Sequence, residues 1–190
     1  MKSREIKIFI SFASDAEDEC KSIRDIIEEE TKNHFLENGY KFTPICWKDI
    51  LPGLGHPQKE KIDPVIVDCR LVIIVLKNRL GTKYENGETG IEHEYNLAKG
   101  FSKEILVYDC DFIIDKRRSE VDIEQLKMAN DFIQKASREG LISKIDSFEN
   151  FKKIFRRNFA QWAKKLITSE SNLSKQSIPP EKFEHYSRGF

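Results

Sequence analysis

Leu71-Val72-Ile73-Ile74-Val75-Leu76 is the most apolar run of the 190-residue chain. It is short, β-branched and apolar at every position instead of every second one, which is the pattern of a central parallel strand covered on both faces. Working outward, Lys7-Ile8-Phe9-Ile10 predicts a first strand and Ile105–Tyr108 a fourth that extends toward Ile113. Tyr40–Trp47 predicts a second strand, and Pro44 inside it removes a ladder donor, so that strand is short or at an edge. Leu141–Ile145 predicts a short fifth strand.

Helical spacing fills the intervals. Cys20, Ile23, Ile27 and Phe35 mark a first helix, with Ser14 or Asp15 as its N-cap, acids in its first turn and a stop at Asn38-Gly39. Ile62, Val65, Ile66 and Cys69 mark a second, which Pro64 should kink or restart. Leu126, Ala129, Ile133 and Ala136 mark a fourth that ends at Gly140. Phe148, Phe151, Phe155, Phe159, Trp162 and Leu166 mark a long last helix capped by Asp146 or Ser147; this aromatic stripe reads as core. The β-α alternation predicts an α/β fold with a parallel five-stranded sheet and helices on both faces. Residues 1–168 form the expected domain, and 169–190, rich in Ser, Asn, Lys and Pro, a loosely held polar tail.

Ligands of such sheets bind outside the carboxyl ends of the strands. The loops Ser11–Asp15, Trp47–His56 and Lys77–Gly90 fall there, and the third helix, Ile91–Ser102, starts from the last of them. On a helical wheel Ile91, Tyr95, Leu97, Ala98, Phe101 and Ser102 share one face, with Glu94 in its middle and Glu92 and His93 pointing away. A carboxylate on an inward stripe is costly unless it is paired or lines a cleft. Glu94 therefore bonds a neighbouring backbone group, sits at a frayed first turn, or is a functional group. A register slip of two would exchange it with Glu92.

Thirty-two basic and thirty-two acidic residues balance to a formal net charge of zero, which argues for neither nucleic acid nor an anionic membrane as partner. No apolar stretch approaches bilayer length, and the start MKSREIKIFI lacks the features of a signal peptide, so a cytoplasmic location is expected. Cys20, Cys46, Cys69 and Cys110 have no CxxC spacing and read as reduced core residues. No GxGxxG follows the first strand, and GxxxxGK[ST] and GxSxG are absent. Lys77-Asn78 stands where a response regulator needs an aspartate, and the histidines are scattered, so no metal ligand set is expected. A lone inward carboxylate suffices when the leaving group is already activated, as in N-glycosidic cleavage of a cationic pyridinium such as that of NAD+.

Several motifs in order carry a resemblance. They are KIFISFASDAEDE at Lys7–Glu19, Asp49-x-x-Pro52-Gly53 within Trp47–Gly53, the run Cys69–Leu76, Arg79-x-Gly81-Thr82, and Glu92-His93-Glu94. Together, over Ile6–Trp162, they resemble a Toll/interleukin-1 receptor (TIR) domain of the TIR-like kind common in bacteria. The resemblance implies a flavodoxin-like fold. For NAD-cleaving members it implies a catalytic glutamate on the third helix, which is Glu94 here. It further implies an NAD+ glycohydrolase or cyclase in bacterial anti-phage or stress defence, with NAD+ as substrate and no separate cofactor. Self-association through the Asp49–Gly53 region and a separate sensor or effector protein are the partners it implies. Gly90 stands where many NAD-cleaving members carry tryptophan, and Lys77 where many carry serine.

The expected substrate-binding residues are Ser11, Phe12, Ser14, Asp15, Trp47 and Asp49. Phe12 and Ser14 are read alternatively as packing and capping, Trp47 as core or as a stacking ring, and Asp49-x-x-Pro-Gly as a turn with or without a binding role. A non-catalytic TIR interaction module and a nucleoside deoxyribosyltransferase-like enzyme are the competing readings of the whole chain.

Overall fold

The computed structural model describes residues 3–51, 57–84, 87–110 and 122–176. The strands are β1 (Arg4–Phe12), β2 (Tyr40–Cys46), β3 (Leu71–Leu76), β4 (Glu104–Cys110) and β5 (Ser143–Ile145). The helices are α1 (Glu17–Glu30), α2 (Asp63–Asp68), α3 (Gly90–Gly100), α4 (Ile123–Glu139) and α5 (Phe148–Gln176). By contact the chain divides into Met1–Arg156 and Arg157–Phe190. The first unit holds the sheet. In the second, α5 continues to Gln176, past the Thr168 after which the sequence predicts a tail, and the rings of Phe159 and Trp162 lie 6.0 Å apart.

All five strands are parallel, in the order β2-β1-β3-β4-β5. This is the flavodoxin-like doubly wound order, whose switch point lies between β1 and β3. Every residue of β3 is buried, as its uninterrupted apolar run requires. Pro44 lies on β2, an edge strand, where a missing donor is tolerated.

Alternation along β1 sorts the two faces. Phe9 and Ala13 join Val72, Ile74, Leu76, Val107 and residues of α2, α3 and α4 in one core. On the other face Tyr108 packs edge-on against Phe151 and Phe155 of α5, at 5.6 and 5.8 Å. Arg156 ties α5 to α1 through Glu29 and Glu30, both at 2.6 Å.

Local punctuation follows the sequence with two corrections. Pro64 restarts the chain as an α-helix: a wider turn at Pro57–Ile62 gives way to α2 with the proline in its first positions. Gly39 closes the α1–β2 connection with φ +80°, a conformation glycine adopts without a steric penalty. The first correction concerns the start of α1. Ser14–Ala16 form a separate 3-10 turn, and neither Ser14 nor Asp15 caps the helix. Asp15 instead accepts from the amide of Asn78 at 2.9 Å, tying the end of β1 to the loop after β3. The second concerns α3, which stops at Gly100, so the wheel does not carry on to Phe101; that ring is 53% exposed. His93, which points away from the apolar stripe, sits half-buried between two carboxylates. Residues 111–113 of the expected fourth strand lie outside the described residues. All four cysteines are free and buried, as expected of core positions.

Candidate functional site

The start of α3 is fixed locally by a capping box. The Thr89 hydroxyl accepts from the Glu92 amide at 3.3 Å, and the Glu92 carboxylate accepts from the Thr89 amide at 2.9 Å. This cap assigns Glu92 to the helix end and turns Glu94, two residues on, inward. Glu94 is 6% exposed. It stands against Ser11, which alternation places on the same face of β1 as Phe9 and Ala13, beside the β1/β3 switch point.

Burial pushes the Glu94 carboxyl up to about 7; Ser11, Gln58 and the nearby His93 favour its charged form, and Asp63 opposes it. Among the described residues no cation pairs with it. Ser11 Oγ faces the carboxyl, yet it is fully buried and forms no hydrogen bond of regular geometry among the described residues.

Residues that sequence reasoning passed over build the rest of this site. Gln58 is 2% exposed, accepts from the Tyr84 phenol at 3.0 Å and donates to Asp63 at 3.2 Å. Asp63 in turn meets His93 Nε2 at 3.0 Å, and His93 Nδ1 lies 3.3 Å from Glu88. Glu88 also accepts from Asn96 at 2.6 Å. The wall behind Glu94 is thus a continuous polar chain joining the Pro57–Ile62 turn, α2, the turn before α3 and α3 itself. A Cβ on Gly90 would lie 3.3 Å from the Tyr84 hydroxyl, so the glycine here leaves room for Tyr84. Burial raises the Tyr84 phenol, with Glu94 and Asp63 adding to the rise. A pattern search could not have found Gln58 or Asp63, because neither lies in a motif and both act through contacts made across the fold.

The expected binding residues divide between the faces. Ser11 joins Glu94. Phe12 points to the opposite face, where its ring lies 6.1 Å from that of Trp47, which is 42% exposed. Asp49 is held by Arg24 at 2.6 and 3.1 Å and caps the Cys46 amide at 2.8 Å. Ser14 is exposed, and Asp15 serves the loop tie described above. Residues 52–56, including Pro52 and Gly53, lie outside the described residues. The Arg79–Thr82 stretch is anchored to α4, since Gln125 accepts from the amides of Leu80 and Gly81 and donates to the Gly81 carbonyl. At the same sheet edge but on the α1 face, Lys77 pairs with Glu19 at 2.9 Å with both side chains buried. Among the described residues no cluster of His, Cys, Asp and Glu has the makings of a metal site, and no helix is long and apolar enough to cross a membrane.

Residues 7–160 match the model of a family described as a domain of unknown function, DUF4062. The chain belongs to that family. No curated protein matches it. Among solved structures it is similar to the apo translation elongation factor SelB of Methanococcus maripaludis, with 16% identity and a TM-score of 0.41. That match covers 90% of this chain and 34% of the elongation factor, so the chain spans about a third of it. It is also similar to oxidised flavodoxin 1 of Bacillus cereus, with 13% identity and a TM-score of 0.40, covering 85% of this chain and 98% of the flavodoxin. The assignment of the DUF4062 chain to the flavodoxin-like class rests on its own strand order.

Proposed function

We propose that the chain cleaves the nicotinamide–ribose bond of NAD+, with Glu94 as the catalytic carboxylate. The observation that carries the reading is a buried carboxyl with which no cation pairs among the described residues, facing the buried Ser11 hydroxyl at the switch point of the sheet. Cleavage of this bond leaves the electron pair on the pyridinium nitrogen, so nicotinamide departs neutral and needs no acid. Positive charge develops on the ribose. A carboxylate in a water-poor site stabilises that charge more strongly than one in water, and a neutral hydroxyl beside it is suited to orient a ribose hydroxyl. Ser11 fits the second role. Gln58 and Tyr84, held by Asp63 and His93, form the polar wall that fixes the carboxyl. Water then attacks the ribose carbon and releases a proton, or an internal nucleophile closes a cyclic product.

The TIR-like motif order supports the same residue from the sequence side. In this reading the activity serves bacterial anti-phage or stress defence, and the Trp47–His56 loop brings copies of the chain together. Trp47 and Leu51, 42% and 83% exposed, put apolar surface on that loop. A separate sensor or effector protein would supply the trigger.

The test is an assay of the purified chain with NAD+ and, in parallel, with deoxynucleosides plus an acceptor base. Nicotinamide release that rises faster than linearly with protein concentration is the expected result. Exchange of deoxynucleoside bases with NAD+ left intact would assign the site to a deoxyribosyltransferase. Inertness toward both, under crowding and at high protein concentration, would reduce the chain to an interaction module.

A further inference from the structure

The Glu94 carboxyl is buried, and so are Ser11 and Gln58 beside it. A substrate reaches that carboxyl only where the wall around it opens. Of the side chains that Gln58 meets, Asp63, Glu94 and Tyr84, the last is the exposed one, at 36%. The backbone of Tyr84 is fixed. Its amide donates to the Glu88 carbonyl at 2.8 Å, the Gly87 amide donates to the Tyr84 carbonyl at 2.9 Å, and Lys83 bridges Thr89, the residue that caps α3. The ring is the movable part, and its tip reaches inward over the first turn of α3. A Cβ on Gly90 would lie 3.3 Å from the Tyr84 hydroxyl, and Glu94 follows Gly90 by one turn on the same side of the helix. That hydroxyl donates to Gln58 Oε1 at 3.0 Å.

The sense of the Gln58 amide follows from its neighbours. Its Nε2 donates to Asp63 at 3.2 Å, and an ionised carboxylate only accepts. His93 Nε2 holds the same carboxylate at 3.0 and 3.1 Å. With its N–H end committed to Asp63, the amide turns its oxygen toward Tyr84 and the surface. We propose that Gln58 Oε1 is a substrate-binding acceptor that the Tyr84 phenol occupies as a stand-in, and that a hydroxyl or N–H of the substrate displaces the phenol on its way to Glu94. The exchange replaces one neutral hydrogen bond by another, so it costs little. It uncovers the carboxyl by rotation of one side chain and leaves the strands and helices where they are. The proposal rests on the reading of Glu94 as the catalytic carboxylate, and NAD+ carries both kinds of donor, on its riboses and on its carboxamide.

The experiment labels the carboxyls of the folded full chain with a water-soluble carbodiimide and a small amine, then maps the amidated glutamates by peptide mass. Glu94 should label slowly in wild type and roughly tenfold faster in Tyr84→Phe, which keeps the ring and loses the bond that holds it shut. Glu19, buried on the other face of the sheet, is the internal control and should stay unlabelled in both. The second measurement is NAD+ turnover. Tyr84→Phe should lower KM several-fold, with kcat moving less, because the phenol no longer competes for Gln58. Gln58→Met removes the acceptor itself and should raise KM roughly tenfold. Equal labelling of Glu94 in wild type and Tyr84→Phe would overturn the proposal even if NAD+ is cleaved. So would labelling of Glu19 in step with Glu94, since the fold and not the ring would then be opening, or a KM that rises in Tyr84→Phe or stays level in Gln58→Met. Faster labelling of Glu94 in Tyr84→Phe with NAD+ left intact by every form would instead overturn the NAD+ reading and uphold the displacement of the phenol.

Discussion

Two buried glutamates reach the carboxyl edge of the sheet from opposite faces, and their surroundings differ in one respect. Glu19, on α1, is 0% exposed and meets the Lys77 ammonium at 2.9 Å. Glu94, on α3, is 6% exposed and meets Ser11 and Gln58, both neutral. A buried carboxylate with its own lysine is an internally neutral pair that joins a helix to a strand end. A buried carboxyl with neutral neighbours keeps its proton near neutrality and retains the capacity to stabilise a cation that arrives later. Depth of burial therefore does not separate the two carboxyls, since both are buried and the deeper one has the cation. The counter-ion does: among the described residues Glu19 has one and Glu94 has none.

The largest effect expected from this contrast is on the paired side. Lys77→Met leaves Glu19 buried without its cation and should cost about 3–5 kcal/mol in urea unfolding. A cost below about 1 kcal/mol, the range of an exposed pair, would remove the distinction between the two sites. Next comes the stability of Glu94→Gln, which should run the other way. The folded carboxyl is raised from 4.5 to about 7. The stability this group contributes is full below pH 4.5 and is lost as pH rises through 7, an amount of about 3 kcal/mol. The variant does not titrate, so its advantage over wild type should grow between pH 4.5 and 7 and then level off. Melting curves across that range check the sign, and a variant less stable than wild type at pH 8 would show that the charged carboxylate is held by the fold. The smallest effect belongs to Glu92→Gln. Glutamine also completes a capping box, so the change in stability should stay within about 0.5 kcal/mol.

The sheet was legible because its signals are local. An unbroken apolar run such as Leu71–Leu76 has few other fates, and Pro44 placed its own strand at an edge. Glu94 was legible because helix periodicity places a residue on a face whatever it meets there. What it meets was not legible. Gln58 and Asp63 lie at the start of the second helix, whose apolar spacing says nothing of what its polar residues meet, and they reach α3 through folding of the first unit. Asp15 and Asp49 read as ligand groups at strand ends, but both carboxylates are taken up by the chain itself, by the Asn78 amide and by Arg24. The wheel failed at Phe101 for a simple reason: the helix had already ended at Gly100, and a period cannot report where it stops.

The most direct test of Glu94 is NAD+ turnover by Glu94→Gln, with Glu92→Gln as the matched control and wild type followed from pH 5 to 9. The geometry predicts that nicotinamide release falls by about 10²–10³ in Glu94→Gln, because a preorganised charge facing the transition state has that value. Turnover by wild type should rise with pH through about 7 as the carboxyl loses its proton, and Glu92→Gln should follow the wild-type profile. Equal turnover by Glu94→Gln and wild type, both folded, would contradict the assignment, as would loss of turnover in Glu92→Gln alone.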